Sequence, residues 1–236
     1  MTNSKFLAAL GHTCFFVLTT ITLEFIIGFV VALLLYREVA GSRVFRLIFA
    51  VPLMVAPVVS GLQWRWLFAD QYGIINALMN KLGLEAPLWF TQVSTSWVTI
   101  IVANLWLATP FVILVLLAGL GGLSEELNEA ASIDGAGRWA KIKYVTLPGI
   151  KPTIIILLLM NVGNVLNAGF EIQYLLGNGL IQDVSQTIDI YVLKWGISQG
   201  DYAIGTAAGI FKSVVSIILI FIANRIAKHN GEEQLF

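Results

Sequence analysis

The chain has 236 residues, of which 58% are hydrophobic and 12% charged, with a mean hydropathy of +0.84. Soluble domains carry about 25% charged residues, so half the charge that a water-facing surface needs is missing and the chain reads as an integral membrane protein. Fourteen Lys and Arg balance fourteen Asp and Glu, which gives no electrostatic case for a nucleic-acid partner, and the single cysteine, Cys14, excludes an internal disulfide and a multi-cysteine metal site.

Five stretches are apolar for long enough to cross a bilayer core, which takes about 20 helical residues. They are 13–36, 47–69, 95–120, 152–176 and 203–224. The first is too long for a signal-peptide core and no small-residue cleavage site follows it. The expected fold is therefore an all-α, multi-pass bundle of about five transmembrane helices in a single domain, 1–236. Arg37, Arg43, Arg46, Arg138, Lys141, Lys143, Lys151, Arg225 and Lys228 fall on one side of these spans, and only Lys5, Lys81 and Lys194 on the other. The positive-inside rule then places 37–46, 121–151 and the C-terminus in the cytoplasm, and the N-terminus, 70–94 and 177–202 outside. Trp64, Trp66, Trp89 and Trp97 fall near the external boundary, where an aromatic belt is expected.

Within the first span, Glu24 is an ionisable residue at mid-membrane. It is read as a partner for Lys212 or a cap on a helix interface, with a lesser claim to a substrate role. The longest cytoplasmic connection, 121–151, is expected to hold two short amphipathic helices. Ser124 precedes Glu125 and Glu126 as an N-cap followed by acids. A helix Glu125–Ile133 follows, Gly135 and Gly137 interrupt it, and a second runs Arg138–Val145 before Pro148 stops it. Two readings stand for this pair: a rigid knob docking into a partner's groove, or helices lying on anionic lipid.

The fourth span carries Asn161, Asn164, Asn167 and Glu171, which on one continuous helix share a stripe about 120° wide. Lys212 lies mid-way along the last span, where it could pair with Glu171 or Glu24 or meet an acidic sugar. Intramembrane polar groups mark a pathway by default, and their alternative role is hydrogen bonding between helices. Phe170, Tyr174 and Phe211 would offer aromatic faces to sugar C–H surfaces. The segment 186–199, with Tyr191 and Trp195, is read as an interfacial helix or a contact for an external protein.

The order Glu129-Ala130-Ala131, three residues, Gly135, nine residues, Val145-Thr146-Leu147-Pro148 resembles the EAA motif of permease subunits of binding-protein-dependent ABC importers. Asp134-Gly135-Ala136 resembles the form found in the carbohydrate-uptake, maltose-type branch. Ile142 and Val145 depart from the usual Phe and Ile but keep apolar bulk. Pro52, Pro57, Trp64-Arg65-Trp66-Leu67-Phe68 and Tyr72-Gly73-Ile74-Ile75-Asn76 resemble the upstream signature of these permeases. Asn167-Ala168-Gly169-Phe170-Glu171 and Gly209-Ile210-Phe211-Lys212-Ser213-Val214 are similar to the aldouronate and complex-oligosaccharide group.

The resemblance implies a type I importer permease that pairs with a second, homologous permease, two cytoplasmic ATPases and an external or periplasmic sugar-binding protein, in an inner membrane. Glu129, Ala130, Ala131, Asp134, Gly135, Ala136, Leu147 and Pro148 would couple it to the ATPase, Glu129 by pairing with a basic group there. The substrate pathway would use Asn161, Asn164, Asn167, Glu171, Tyr174, Phe211 and Lys212, and Lys212 with the subgroup suggests a uronate-containing cargo. The family core has six spans, and residues 1–12 resemble the stretch before its second, so the expectation is that the first is missing here. No Gly-x-x-x-x-Gly-Lys-Ser/Thr loop exists in the chain. ATP and Mg would belong to the partner ATPase, and this chain is expected to bind no cofactor or metal and to have no catalytic residues. Three other readings compete: an intramembrane enzyme, for which His12 and His229 are the only histidines and both lie near termini; an ion-coupled secondary carrier using Glu171 and Lys212; and an ABC importer of a non-sugar solute.

Overall fold

The computed structural model describes residues 4–36, 41–177, 180–181 and 185–229; Arg37, used above for orientation, lies outside them. Three helices are long and apolar enough to cross a membrane: α1 (Ser4–Tyr36), α5 (Val93–Gly121) and the last helix, which spans Tyr202–Lys228 as a membrane crossing. At about 1.5 Å per residue α1 is roughly 50 Å long, well beyond the roughly 30 Å of hydrocarbon, so its first turns extend past the apolar stretch at 13–36.

The expected second span is not one rod. α2 (Ser42–Ala50) runs through a tight turn to Met54, and α3 (Pro57–Leu67) leaves it at 104°. Val55 and Ala56 between them are extended, and Pro57 opens α3, where its missing N–H is no loss. α2 buries none of its residues. Arg46 instead ties it to α1, donating from Nη2 to the Leu35 carbonyl at 2.8 Å and satisfying an orphan acceptor at that helix end.

The short helix α4 (Ile74–Lys81) follows, pinned by polar contacts: Trp89 donates its backbone N–H to Asp70 Oδ1 at 3.0 Å and its indole N–H to Asn76 Oδ1 at 2.5 Å. α5 then packs along α1 and leads to α6 (Glu125–Ile133) and α7, which runs Arg138–Gly149. α8 (Lys151–Gly163) leaves α7 at a 60° bend. At about 20 Å it is too short to cross alone, and the expected continuous helix over 152–176 is broken. A non-helical connector over 164–169 separates α8 from α9 (Phe170–Leu176).

Next come α10 (Ile188–Tyr191), widening into a π turn over Val192–Ile197, and α11 (Tyr202–His229). Few residues of α11 are fully buried: it packs on α1 and α10 through Ile204, Ala208, Phe211 and Val215 and leaves its other side to lipid or to another chain. The segment expected to be interfacial is instead held inward. Thr13 Oγ1 on α1 accepts the Ile188 N–H at 2.9 Å, His12 meets the Gln186 carbonyl at 3.2 Å, and Tyr191 is buried.

Apolar packing gathers in three places. Phe16, Ile100 and Ile172 join α1, α5 and α9; Phe6, Ile188 and Ala208 join α1, α10 and α11; Ala32, Leu116 and Leu157 join α1, α5 and α8 near the α6–α7 end. Between the first and third of these clusters the packing opens into a cavity.

Candidate functional site: a carboxamide cavity and an exposed two-helix knob

The cavity holds about 240 Å³ and is walled by α1, α5, α8 and the connector after α8. Its polar lining is Thr20 and Glu24 from α1, Asn104 from α5, and Asn161, Asn164 and Asn167 from α8 and the connector. The connector exists because its residues compete with a helix ladder. Asn side chains offer the backbone local alternatives, and Asn164 and Asn167 accordingly bond each other at 3.1 Å. Gly169 then sits at φ +74, the left-handed region that glycine enters without penalty. A Cβ at 169 would also run into Asn104 Oδ1, so the glycine lets α5 and the connector meet.

Asn104, Asn161 and Asn164 donate to the carbonyls of Ile100, Leu157 and Met160, each one turn back, at 3.0, 3.1 and 3.3 Å. These bonds hold the amides in place and leave each with a second N–H and a carbonyl oxygen to offer. Glu24 is buried. Four amides, a hydroxyl and a carboxylate facing one space at mid-bundle form a surface suited to hydroxyl groups, with Phe16 and Leu107 as apolar wall between them.

The remaining expected pathway residues fall elsewhere. Glu171 lines an adjoining recess of about 470 Å³ with Asp189 and Ile197, which shares Asn167 and Gly169 with the cavity. Tyr174 stacks on Phe170 at 5.6 Å between ring centres and is exposed. Phe211 packs edge-on against Phe6 at 5.5 Å, within the apolar cluster of α1, α10 and α11. Lys212 pairs with neither Glu171 nor Glu24: its Nζ lies 2.5 Å from Asp189 Oδ1. An acid one helix away on α10 supplies the counter-charge, and a stripe drawn along a single helix does not see it. Sequence reasoning also passed over Asn104 and Thr20, lone polar residues in apolar spans, and left out of the pathway set Glu24, which lines the cavity with them.

At the far end of α5, α6 and α7 project as a knob. α6 has the expected bounds and Ser124 occupies its N-cap position, with extended backbone but no side-chain cap bond. The helix ends in a Schellman motif: Ala136 N–H donates to the Ala131 carbonyl at 2.8 Å and Gly135 N–H to Ser132 at 3.1 Å, with Gly135 at φ +77. Glu129 and Ala130 lie on α6, and Asp134 is its C-cap residue.

Pro148 does not stop α7. A π turn over Ile142–Thr146 precedes it, which widens the helix where the proline ring would otherwise press on the carbonyl four residues back. Helical geometry therefore continues through Leu147–Gly149. Ile133, Trp139 and Tyr144 are 87%, 84% and 69% exposed, so the knob carries large apolar side chains that this chain does not cover.

The profile described as "binding-protein-dependent transport system inner membrane component" matches residues 24–231. The chain belongs to that family. It is 36% identical to protein LplB of Bacillus subtilis across 99% of this subunit and 74% of LplB. It is 32% identical to the trehalose/maltose transport system permease protein MalF of Thermococcus litoralis, over 89% of this subunit and 71% of MalF. In three dimensions it superposes on a chain of a bacterial alginate ABC transporter, solved in complex with an alginate pentasaccharide-bound periplasmic protein. The TM-score is 0.93 at 27% identity, over 99% of this subunit and 82% of that chain. The subunit is thus a multi-pass membrane component with the fold of a type I importer permease.

Proposed function

We propose that this permease forms one wall of the pathway by which an ATP-driven importer moves a sugar or oligosaccharide into the cytoplasm by alternating access. The carboxamide cavity carries the reading. Polar groups at mid-bundle are costly, and here Asn161, Asn164, Asn167, Asn104 and Glu24 converge on one open space rather than pairing off across helices. Names among the relatives point the same way, since MalF belongs to a trehalose/maltose system and the superposed chain to an alginate transporter.

The α6–α7 knob within 121–151 is the coupling element. Its exposed Trp139 and Ile133 dock in a groove of a cytoplasmic ATPase, Glu129 pairs with a basic group there, and the left-handed Gly135 fixes the angle between the two helices. Ala130, Ala131, Asp134, Ala136, Leu147 and Pro148 shape this element. The knob and the C-terminus lie on the cytoplasmic side, 70–94 and 177–202 lie outside, and 186–199 offers a contact to the external binding protein. A second permease completes the pathway, and ATP and Mg act on the ATPase. The ion-coupled carrier loses support because Lys212 is paired to Asp189 rather than to Glu171.

Purification of the tagged chain from its native membrane in mild detergent tests this assembly. Co-purification of a nucleotide-binding ATPase and a second permease, with ATP-dependent sugar uptake after reconstitution, is the expected result. A chain that purifies alone and transports without ATP would end the importer reading.

A further inference from the structure

We infer that the cavity passes uncharged stretches of saccharide and disfavours uronates, and that Glu24 sets this preference. The inference rests on the import reading above and adds the charge class of the cargo. A carboxylated sugar needs a cation where it pauses in a low-dielectric space, and the wall that this permease contributes to the cavity includes no Lys, Arg or His. Lys212, the cation that sequence alone offers for such a cargo, is spoken for by Asp189, and it does not line the cavity. Arg65 is exposed on α3 and lies outside the lining as well.

What the cavity does present is acceptor-rich and neutral to acidic. The asparagines have already committed one N–H each to the helix backbone or to one another, and they share the lining with Glu24. Sugar hydroxyls satisfy such a surface because each both donates and accepts. A uronate would instead bring its charge up to the buried carboxyl of Glu24 between walls of Phe16, Val17 and Leu107, where nothing in the lining offsets it.

The test uses the complete importer with its binding protein in proteoliposomes supplied with internal ATP. Uptake is measured for three neutral tetrasaccharides (malto-, cello- and xylotetraose) and two charged ones (tetragalacturonate and tetramannuronate). The wild type is expected to import at least one neutral probe at least about tenfold faster than either uronate, a difference of about 1.4 kcal/mol in barrier. E24K should narrow that ratio by about tenfold, because it places a cation beside the sugar, and E24Q should narrow it by less. The ratio is internal to each preparation, so poor folding of a variant lowers both rates without moving it, and E24Q carries the same readout if E24K does not insert. Equal or faster uronate uptake by the wild type overturns the inference while leaving the importer reading intact. So does a ratio unmoved in both variants, which would assign the preference to the binding protein. Import of no saccharide by a complex that hydrolyses ATP would end the sugar reading and this inference with it.

Discussion

The knob and the cavity are built in opposite ways. Everything in the knob comes from one contiguous stretch: α6, the Schellman turn at Gly135 and α7 follow one another, and local rules of capping and handedness set their geometry. The cavity takes single residues from α1, α5 and the broken end of α8, and only packing brings them together. The knob exposes its large apolar side chains, and the cavity sets polar ones among apolar helices, with Glu24 buried and Asn164 and Asn167 exposed to its open space. Each is inverted with respect to its surroundings, apolar toward water and polar within hydrocarbon. Such inversions are costly unless something else arrives to satisfy them, and on the proposed function that component is an ATPase for the knob and a sugar for the cavity.

Substitutions can push on either side of this contrast. The largest effect is expected from Gly135→Val, which forces a β-branched residue into the left-handed region at a site where nothing lies within 4 Å to be displaced. Membrane insertion should be unchanged while substrate-stimulated ATP hydrolysis falls by at least about tenfold. Full stimulation in this variant would separate the knob from coupling. On the cavity side, replacing Asn161 and Asn164 together with Leu should lower the uptake rate by roughly thirtyfold, at about 1 kcal/mol per lost hydroxyl contact, with ATPase co-purification intact. Uptake at the wild-type rate would reduce these amides to interhelical glue.

A smaller effect belongs to the ion pair outside both regions. Lys212→Met should destabilise the chain by about 1 kcal/mol, because it strands Asp189 at 25% exposure. Asp189→Asn in that background should recover part of the loss in a detergent melting curve, and additive losses in the double variant would show that the two are not coupled. The smallest is Ser132→Ala, which removes the acceptor that Lys141 Nζ reaches at 2.5 Å on the exposed face of the knob. Its effect on melting should stay within about 0.5 kcal/mol, and a larger one would mean that this contact fixes the angle between α6 and α7.

The contrast also explains what the sequence could tell. α6 was legible to the residue, since acids in its first turn and a glycine past its end are local signals that local geometry obeys. The spans at α1, α5 and α11 were legible as hydropathy, though α1 starts at Ser4, earlier than its apolar stretch. Hydropathy is blind to direction, so it reported α2 and α3 as one span where the chain turns through 104°, with Pro57 as the available but unused sign. It likewise ran a helix through Asn164 to Gly169, where side-chain competition and a left-handed glycine break it. Asn161, Asn164 and Asn167 still meet in one cavity, but through the break rather than along a stripe, and Glu171 is lost to another recess for the same reason. Asn104 and Thr20 had no pattern to betray them.

The turn between α2 and α3 carries a consequence for how such a protein is made. Whether the pair is one broken crossing or a loop that dips in and returns, Val55 and Ala56 put extended backbone between two apolar helices. Lipid tolerates such backbone only where protein or a water-filled space covers it. A copy inserted alone therefore leaves a seam in its side, next to an α2 that buries nothing of its own. On the proposed assembly it is the second permease that covers this seam, so a subunit without its mate would keep extended backbone against lipid.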